Sequence, residues 1–244
     1  MDDEEESYCV FGNWKRPSGY ASWDTANHAG RAAADLICHP LDIGGAKSLP
    51  WIGGDRPSGA DWRGVDPNYN LGQLVVDTLA LLTPDTPVLV RMETMRRATV
   101  YAVWAMRDRK VGYSVKDDAV ARQLLSELTA RTRSAQAKGN QDAAAWFDAG
   151  YLAASYQQTG LKTGLNGYEM VAKALKLGAH DPAMEFAASV ITEAGPPKVH
   201  RDHLQKALAG AKDGSLLARN LVLNYAATGR TISELRADSM LSSK

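Results

Sequence analysis

From residue 71 onward the apolar positions recur with a helical period. Leu71, Leu74, Val75, Leu79 and Leu82 stand at i, i+3, i+4, i+8 and i+11, one stripe that predicts an amphipathic helix. Asn70 is placed to cap it, Thr83-Pro84 ends it, and Pro87 can open the next. That next segment, 88–109, is the most apolar of the chain. Val88, Met92, Met95, Thr99, Val103 and Met106 line one face, and Val90, Val100, Tyr101 and Trp104 line a second, nearly opposite one. A helix apolar on two sides is packed on two sides, which predicts a central position.

Further helices are predicted over 117–138, 142–158, 168–177, 182–193, 201–212, 216–228 and 232–238. Their punctuation is consistent: Gly139 and Gly229 suit C′ positions, Asp181-Pro182 reads as N-cap then N1, and Thr231-x-x-Glu234 is a capping box. No stretch after residue 70 alternates with period two long enough to be a strand. The expected fold is all-α: a body of stacked antiparallel helical hairpins over 71–244, arranged as a bundle or a short α-solenoid. No fixed repeat supports a named repeat family. WFDAGYLAASY has Trp146, Gly150 and Tyr151 near tetratricopeptide positions, but the tyrosine is displaced and the later small-residue and proline positions fail.

Residues 1–70 have a different character. They hold four of the six tryptophans, nine of the 21 glycines and half of the ten prolines. One helix is expected there, over 25–38, with Asp24 as N-cap and Pro40 as stop. The segment also repeats itself. Arg-Pro-Ser-Gly occurs at 16–19 and 56–59, each time followed by a tryptophan, and W-x-G-x-D occurs at Trp51–Asp55 and Trp62–Asp66. Pro second and Gly fourth fit a type I turn, and the tryptophan after it is a large apolar anchor on a Gly-rich chain. Arg16 or Arg56 can stack on such a ring. Two roles follow: the tryptophans pin this arm onto the protein's own helices, or Trp14, Trp23, Trp51 and Trp62 anchor it on another subunit, as interface hot spots do.

Charge and composition narrow the classes. The chain has 244 residues and a net charge of zero, with apolar and charged fractions of globular type. Residues 1–70 carry eleven acidic against six basic side chains, whereas 88–138 carry eleven basic against five acidic. Basic residues at expected helix C-termini complement the helix dipole, so nucleic acid is not an expected partner. No apolar run reaches the roughly 20 residues of a membrane span, and MDDEEES is acidic where a secretory signal is basic and then apolar. A cytoplasmic location without membrane insertion is expected. Cys9 and Cys38 are expected to be reduced thiols.

Candidate chemistry is sparse. Arg91, Glu93 and Arg96 lie on the most apolar helix. If buried they must be paired, Glu93 with Arg97 at i+4 for example, and an arginine opening into a cleft there would bind an anion. His200-x-x-His203 lacks zinc-site spacing, and DIGGAKS lacks the glycine before the lysine that a phosphate loop needs. No nucleophile elbow, dinucleotide fingerprint or paired-carboxylate spacing occurs, so neither a cofactor nor a catalytic set is expected. The leading expectation is a non-catalytic interaction or structural subunit of a larger assembly, with the arm as a docking strap. The alternative is a small-molecule or anion-binding helical protein, an enzyme among them, with its site between 20–66 and helix 88–109.

Overall fold

The computed structural model describes residues 36, 40–52, 64–66, 68–103, 118–139, 142–226 and 229–241. Among these residues the fold is all-helical, with nine α-helices and no strand. They are α1 (Leu74–Leu81), α2 (Val88–Val103), α3 (Ala119–Ala137), α4 (Ala143–Gln158), α5 (Gly167–Leu177), α6 (Pro182–Ile191), α7 (Pro197–Gly210), α8 (Leu216–Tyr225) and α9 (Ile232–Leu241). Successive helices pack as hairpins, α4 against α5 and α6 against α7 most extensively. Two helices hold the middle. α2 touches α1, α3, α4 and α6, and α4 touches α2, α3, α5 and α6.

The caps read at Asp181 and at Thr231/Glu234 are present, and other helices are capped in the same way. Asp142, Asn166, Asp181 and Ser215 each accept a backbone N–H of the first helical turn that follows them. Thr231 and Glu234 bond reciprocally, each side chain to the other's backbone N–H, as the capping box requires. Two starts differ from expectation. Asn70 caps a short 3-10 turn, Leu71–Gln73, that leads into α1. α7 begins at Pro197, four residues early, because a proline at N1 has no amide to lose and so opens a helix rather than delaying it. α8 stops at Tyr225, short of the expected 228. Of the expected helix 25–38, only Leu36 is among the described residues, and it lies in a turn; 104–109 also fall outside them.

Arginines from one helix close the carbonyl ends of another. Arg131 of α3 donates to the carbonyls of Leu79 and Leu82 at the end of α1. Arg236 of α9 donates to those of Leu208 and Ala211 at the end of α7 and pairs with Asp213 at 2.6 Å. These cations meet the negative pole of a neighbour's dipole and satisfy its orphan carbonyls. The α4–α5 crossing has a different basis: a Cβ on Gly150 would stand 2.7 Å from that of Met170 and 2.9 Å from the Gly167 carbonyl, so the two backbones meet where side chains are absent.

Every residue of α2 from Leu89 to Val103 is buried, as a helix apolar on two sides implies. The burial takes in Arg91, Glu93, Arg96 and Arg97. Part of the cover is the arm: Leu41, Ile43 and Leu49 join the core, though residues 40–52 form no helix. No helix among the described residues is long and apolar enough to cross a membrane.

Candidate functional site

The arm crosses α2 on a ladder of polar side chains. Glu93, Arg97 and Tyr101 stand at i, i+4 and i+8, a row about 12 Å long on one face of the helix. Glu93 accepts the backbone N–H of Leu41 at 3.0 Å. Arg97 donates to the carbonyl of Leu49 at 2.7 Å, and Tyr101 donates its hydroxyl to that of Pro50 at 2.7 Å. Between them the Ser48 and Thr94 hydroxyls lie 3.0 Å apart. The order along the arm matches the order along the helix, so α2 holds the arm's main chain in a single register.

Glu93 is the centre of this clasp. Its two oxygens receive Arg96 at 2.7 and 2.8 Å and Arg97 at 2.7 Å, all three side chains being buried. Burial opposes the charge, but Arg96, then Arg97, then the Leu41 amide outweigh it and hold the carboxyl below its usual range. Trp51 closes the end of the crossing. Its ring lies 4.7 Å from the Arg96 guanidinium carbon and 5.5 Å from that of Arg97, and it meets Tyr101 edge-on with centroids 6.0 Å apart.

The two W-x-G-x-D copies meet here. Ile52 of the first donates its N–H to the Gly64 carbonyl of the second at 2.7 Å. A Cβ on Gly64 would stand 1.9 Å from the Trp51 indole nitrogen, so only glycine admits the ring. The Asp66 N–H then donates to the Tyr101 hydroxyl, which thus receives one copy while bonding to the other at Pro50. At the far end Asn220 of α8 exchanges two hydrogen bonds with the Asp42 backbone, each 2.8 Å, and Arg219 pairs with the Asp42 carboxylate at 2.7 Å.

Comparison with protein-family models, with curated proteins and with solved structures finds no match. The site therefore rests on its own geometry.

Of the residues singled out in the sequence, Trp51, Glu93 and Arg96 come together at this crossing. Arg91, on the same helix, faces elsewhere. It pairs with Asp148 of α4 at 2.6 Å and donates to the carbonyls of Thr83, Pro84 and Thr86 after α1. Burial outweighs Arg91 at Asp148 and pushes its carboxyl up to about 6. Arg91 and Arg96 thus both turn to the protein's own acids and carbonyls. Trp14, Trp23, Trp62, Arg16 and Arg56 lie outside the described residues.

The histidine pair divides between two partners. His200 bonds the Ser189 carbonyl at 2.8 Å. His203 sets Nδ1 2.5 Å from Glu185 and Nε2 3.0 Å from the Tyr168 hydroxyl, and His180 bonds the other Glu185 oxygen at 2.9 Å. No three His, Cys, Asp or Glu side chains among the described residues are arranged to hold a metal ion. Sequence reading missed Arg97 and Tyr101 as arm contacts. The available signal was a row of hydrogen-bonding tips, 93, 97 and 101, along the most apolar helix.

Proposed function

We propose that this protein is a non-catalytic interaction subunit whose helical body grips the root of its N-terminal arm and presents the arm's remaining tryptophans to a protein partner. The observation that carries the reading is the clasp in which Glu93, braced by Arg96, holds the main chain at Leu41 and Arg97 holds it at Leu49. A buried charge network is a poor way to gain stability, since desolvation offsets most of its Coulomb energy, and its best-attested use is to fix a register. A fixed register has value where an arm must hold anchors at defined distances from its body.

Trp51 packs on its own chain, and we assign it to the clasp. Trp14, Trp23 and Trp62, with Arg16 and Arg56 in the paired Arg-Pro-Ser-Gly phrases, are the docking residues of the proposal. Trp and Arg are the side chains that most often dominate interface energies. The alternative, an anion site at the crossing, draws no support from Arg91 and Arg96, whose guanidiniums face internal partners.

The test is co-purification of tagged full-length chain from its source, comparing wild type with Trp14→Ala, Trp23→Ala and Trp62→Ala. A companion present in fixed stoichiometry with wild type and depleted at least tenfold in one of these variants is the expected result. Wild type without any stoichiometric companion overturns the reading.

A further inference from the structure

A groove of about 270 Å³ opens to solvent between α3 and the loop joining α4 to α5, and none of the clasp residues lines it. Three cations stand around it: Arg122 and Arg133 on α3, and Lys162 on the loop. Ser126, Thr129 and Thr163 also line it, and no acidic side chain does. Leu125, Leu161 and Leu165 supply its apolar surface, the first two being buried. On α3 the lining residues 122, 125, 126, 129 and 133 share one helical face.

The loop opposite is braced. Gln157 of α4 donates to the Leu165 carbonyl at 2.6 Å and to the Thr163 hydroxyl at 3.3 Å, and Thr163 in turn accepts the Leu165 N–H. Arg122 is tied to Asp118 at 2.5 Å. Arg133 and Lys162 have no ion-pair partner among the described residues. The groove therefore holds two uncompensated cations, with the Ser126 hydroxyl and the leucines beside them, while the Thr129 and Thr163 hydroxyls donate to the Leu125 and Leu165 carbonyls.

The geometry points to a binding site for a small amphiphilic oxyanion, a phosphate or carboxylate head on a short apolar body. The head sits between Arg133 and Lys162, with the Ser126 hydroxyl beside them, and charge-assisted hydrogen bonds from the two cations hold it. The body lies on the leucines. A volume just below the usual range of about 300–1,000 Å³ limits the ligand to a small molecule, and the lack of an aromatic lining removes the stacking platform that a nucleic-acid strand needs.

Titration of the full chain with n-butyl phosphate, butyrate and inorganic phosphate tests this, followed by calorimetry and by backbone amide shifts. Saturable binding of n-butyl phosphate or of butyrate is expected, with the Ser126, Thr129 and Thr163 amides moving; which one binds identifies the head. Inorganic phosphate should bind several-fold more weakly than the butyl ester if the phosphate head is the right one. The double variant Arg133→Gln/Lys162→Gln should lose roughly tenfold or more in affinity, while Lys198→Gln, an exposed lysine on α7, should not. All three positions are exposed, and an unchanged melting temperature checks that the variants fold. Absence of saturation below about 10 mM with either butyl ligand overturns the proposal. So does an affinity that the double variant leaves unchanged.

Discussion

Gly64 and Glu93 are the residues on which the arm's placement turns, for opposite reasons. Gly64 acts by what it lacks: the Trp51 indole occupies the space a Cβ would take. Gly64→Val should expel the ring and cost about 1–3 kcal/mol, as overpacking does. Urea unfolding gives the loss. Trp51 should move to a wetter environment, seen as a red-shifted difference in emission between this variant and the same variant carrying Trp51→Phe. An unchanged midpoint would mean that the ring does not sit on Gly64. Glu93 acts by its charge. Glu93→Gln keeps the shape but removes the anion that Arg96 and Arg97 face, and should cost about 3–5 kcal/mol. A loss below about 1 kcal/mol, the range of an exposed pair, would contradict a buried clasp.

A second buried acid, Asp148, makes a pH-dependent prediction. Its carboxyl titrates near 6 in the folded protein against 3.8 as the reference value, so the folded state holds the proton more tightly than the unfolded one. Stability from this group is full below about pH 4 and falls as pH rises through 6. Glu93 works in the other sense, its carboxyl being held low, so its contribution falls as pH drops. Comparing pH 4.5 with 6.5 separates them. The decline in unfolding free energy between these values should be smaller in Asp148→Asn than in wild type, because at pH 4.5 the wild-type carboxyl is already protonated and Arg91 lacks its counter-charge in both proteins. Parallel profiles would show that Asp148 does not titrate in this window.

At the scale of elements, the helices were legible wherever a period and a cap agreed. Asp181 and the Thr231/Glu234 pair mark true starts, and the double-faced pattern of 88–109 implied packing on two sides, as the burial of its described part from Leu89 to Val103 bears out. The start expected at 201 was late, because Pro197 takes the first helical position and opens α7. The clasp was less legible. Arg91, Glu93 and Arg96 stood out as charges in an apolar helix, but spacing along one helix cannot show which one meets the arm, which meets α4 and which turns back on Glu93. Those pairings join residues 41 with 93 and 91 with 148, contacts that only the tertiary fold creates. The α4–α5 crossing offers a test at this scale. Gly150→Ala places a methyl 2.7 Å from the Met170 Cβ and 2.9 Å from a backbone carbonyl that cannot swing away. A loss of about 1–3 kcal/mol is expected; a neutral substitution would mean that α4 and α5 do not meet there.

At the scale of the whole molecule, the repeated phrases acquire a partial explanation. One W-x-G-x-D copy folds onto the other through Trp51 and Gly64, so this repeat serves the chain's own packing at its described end. The proposal concerns what that packing holds in place. An arm rooted by Glu93, Arg97 and Tyr101 on α2 and by Asn220 on α8 starts from a fixed point on the body. The Arg-Pro-Ser-Gly phrases and their tryptophans stand on either side of that root in the sequence. The measurement that tests this most directly is the native mass of the particle purified gently from its source. The account predicts a stoichiometric assembly heavier than the 26.4 kDa chain, from which Trp14→Ala, Trp23→Ala or Trp62→Ala variants drop out. A lone 26.4 kDa monomer would contradict it and leave the paired phrases with self-packing alone.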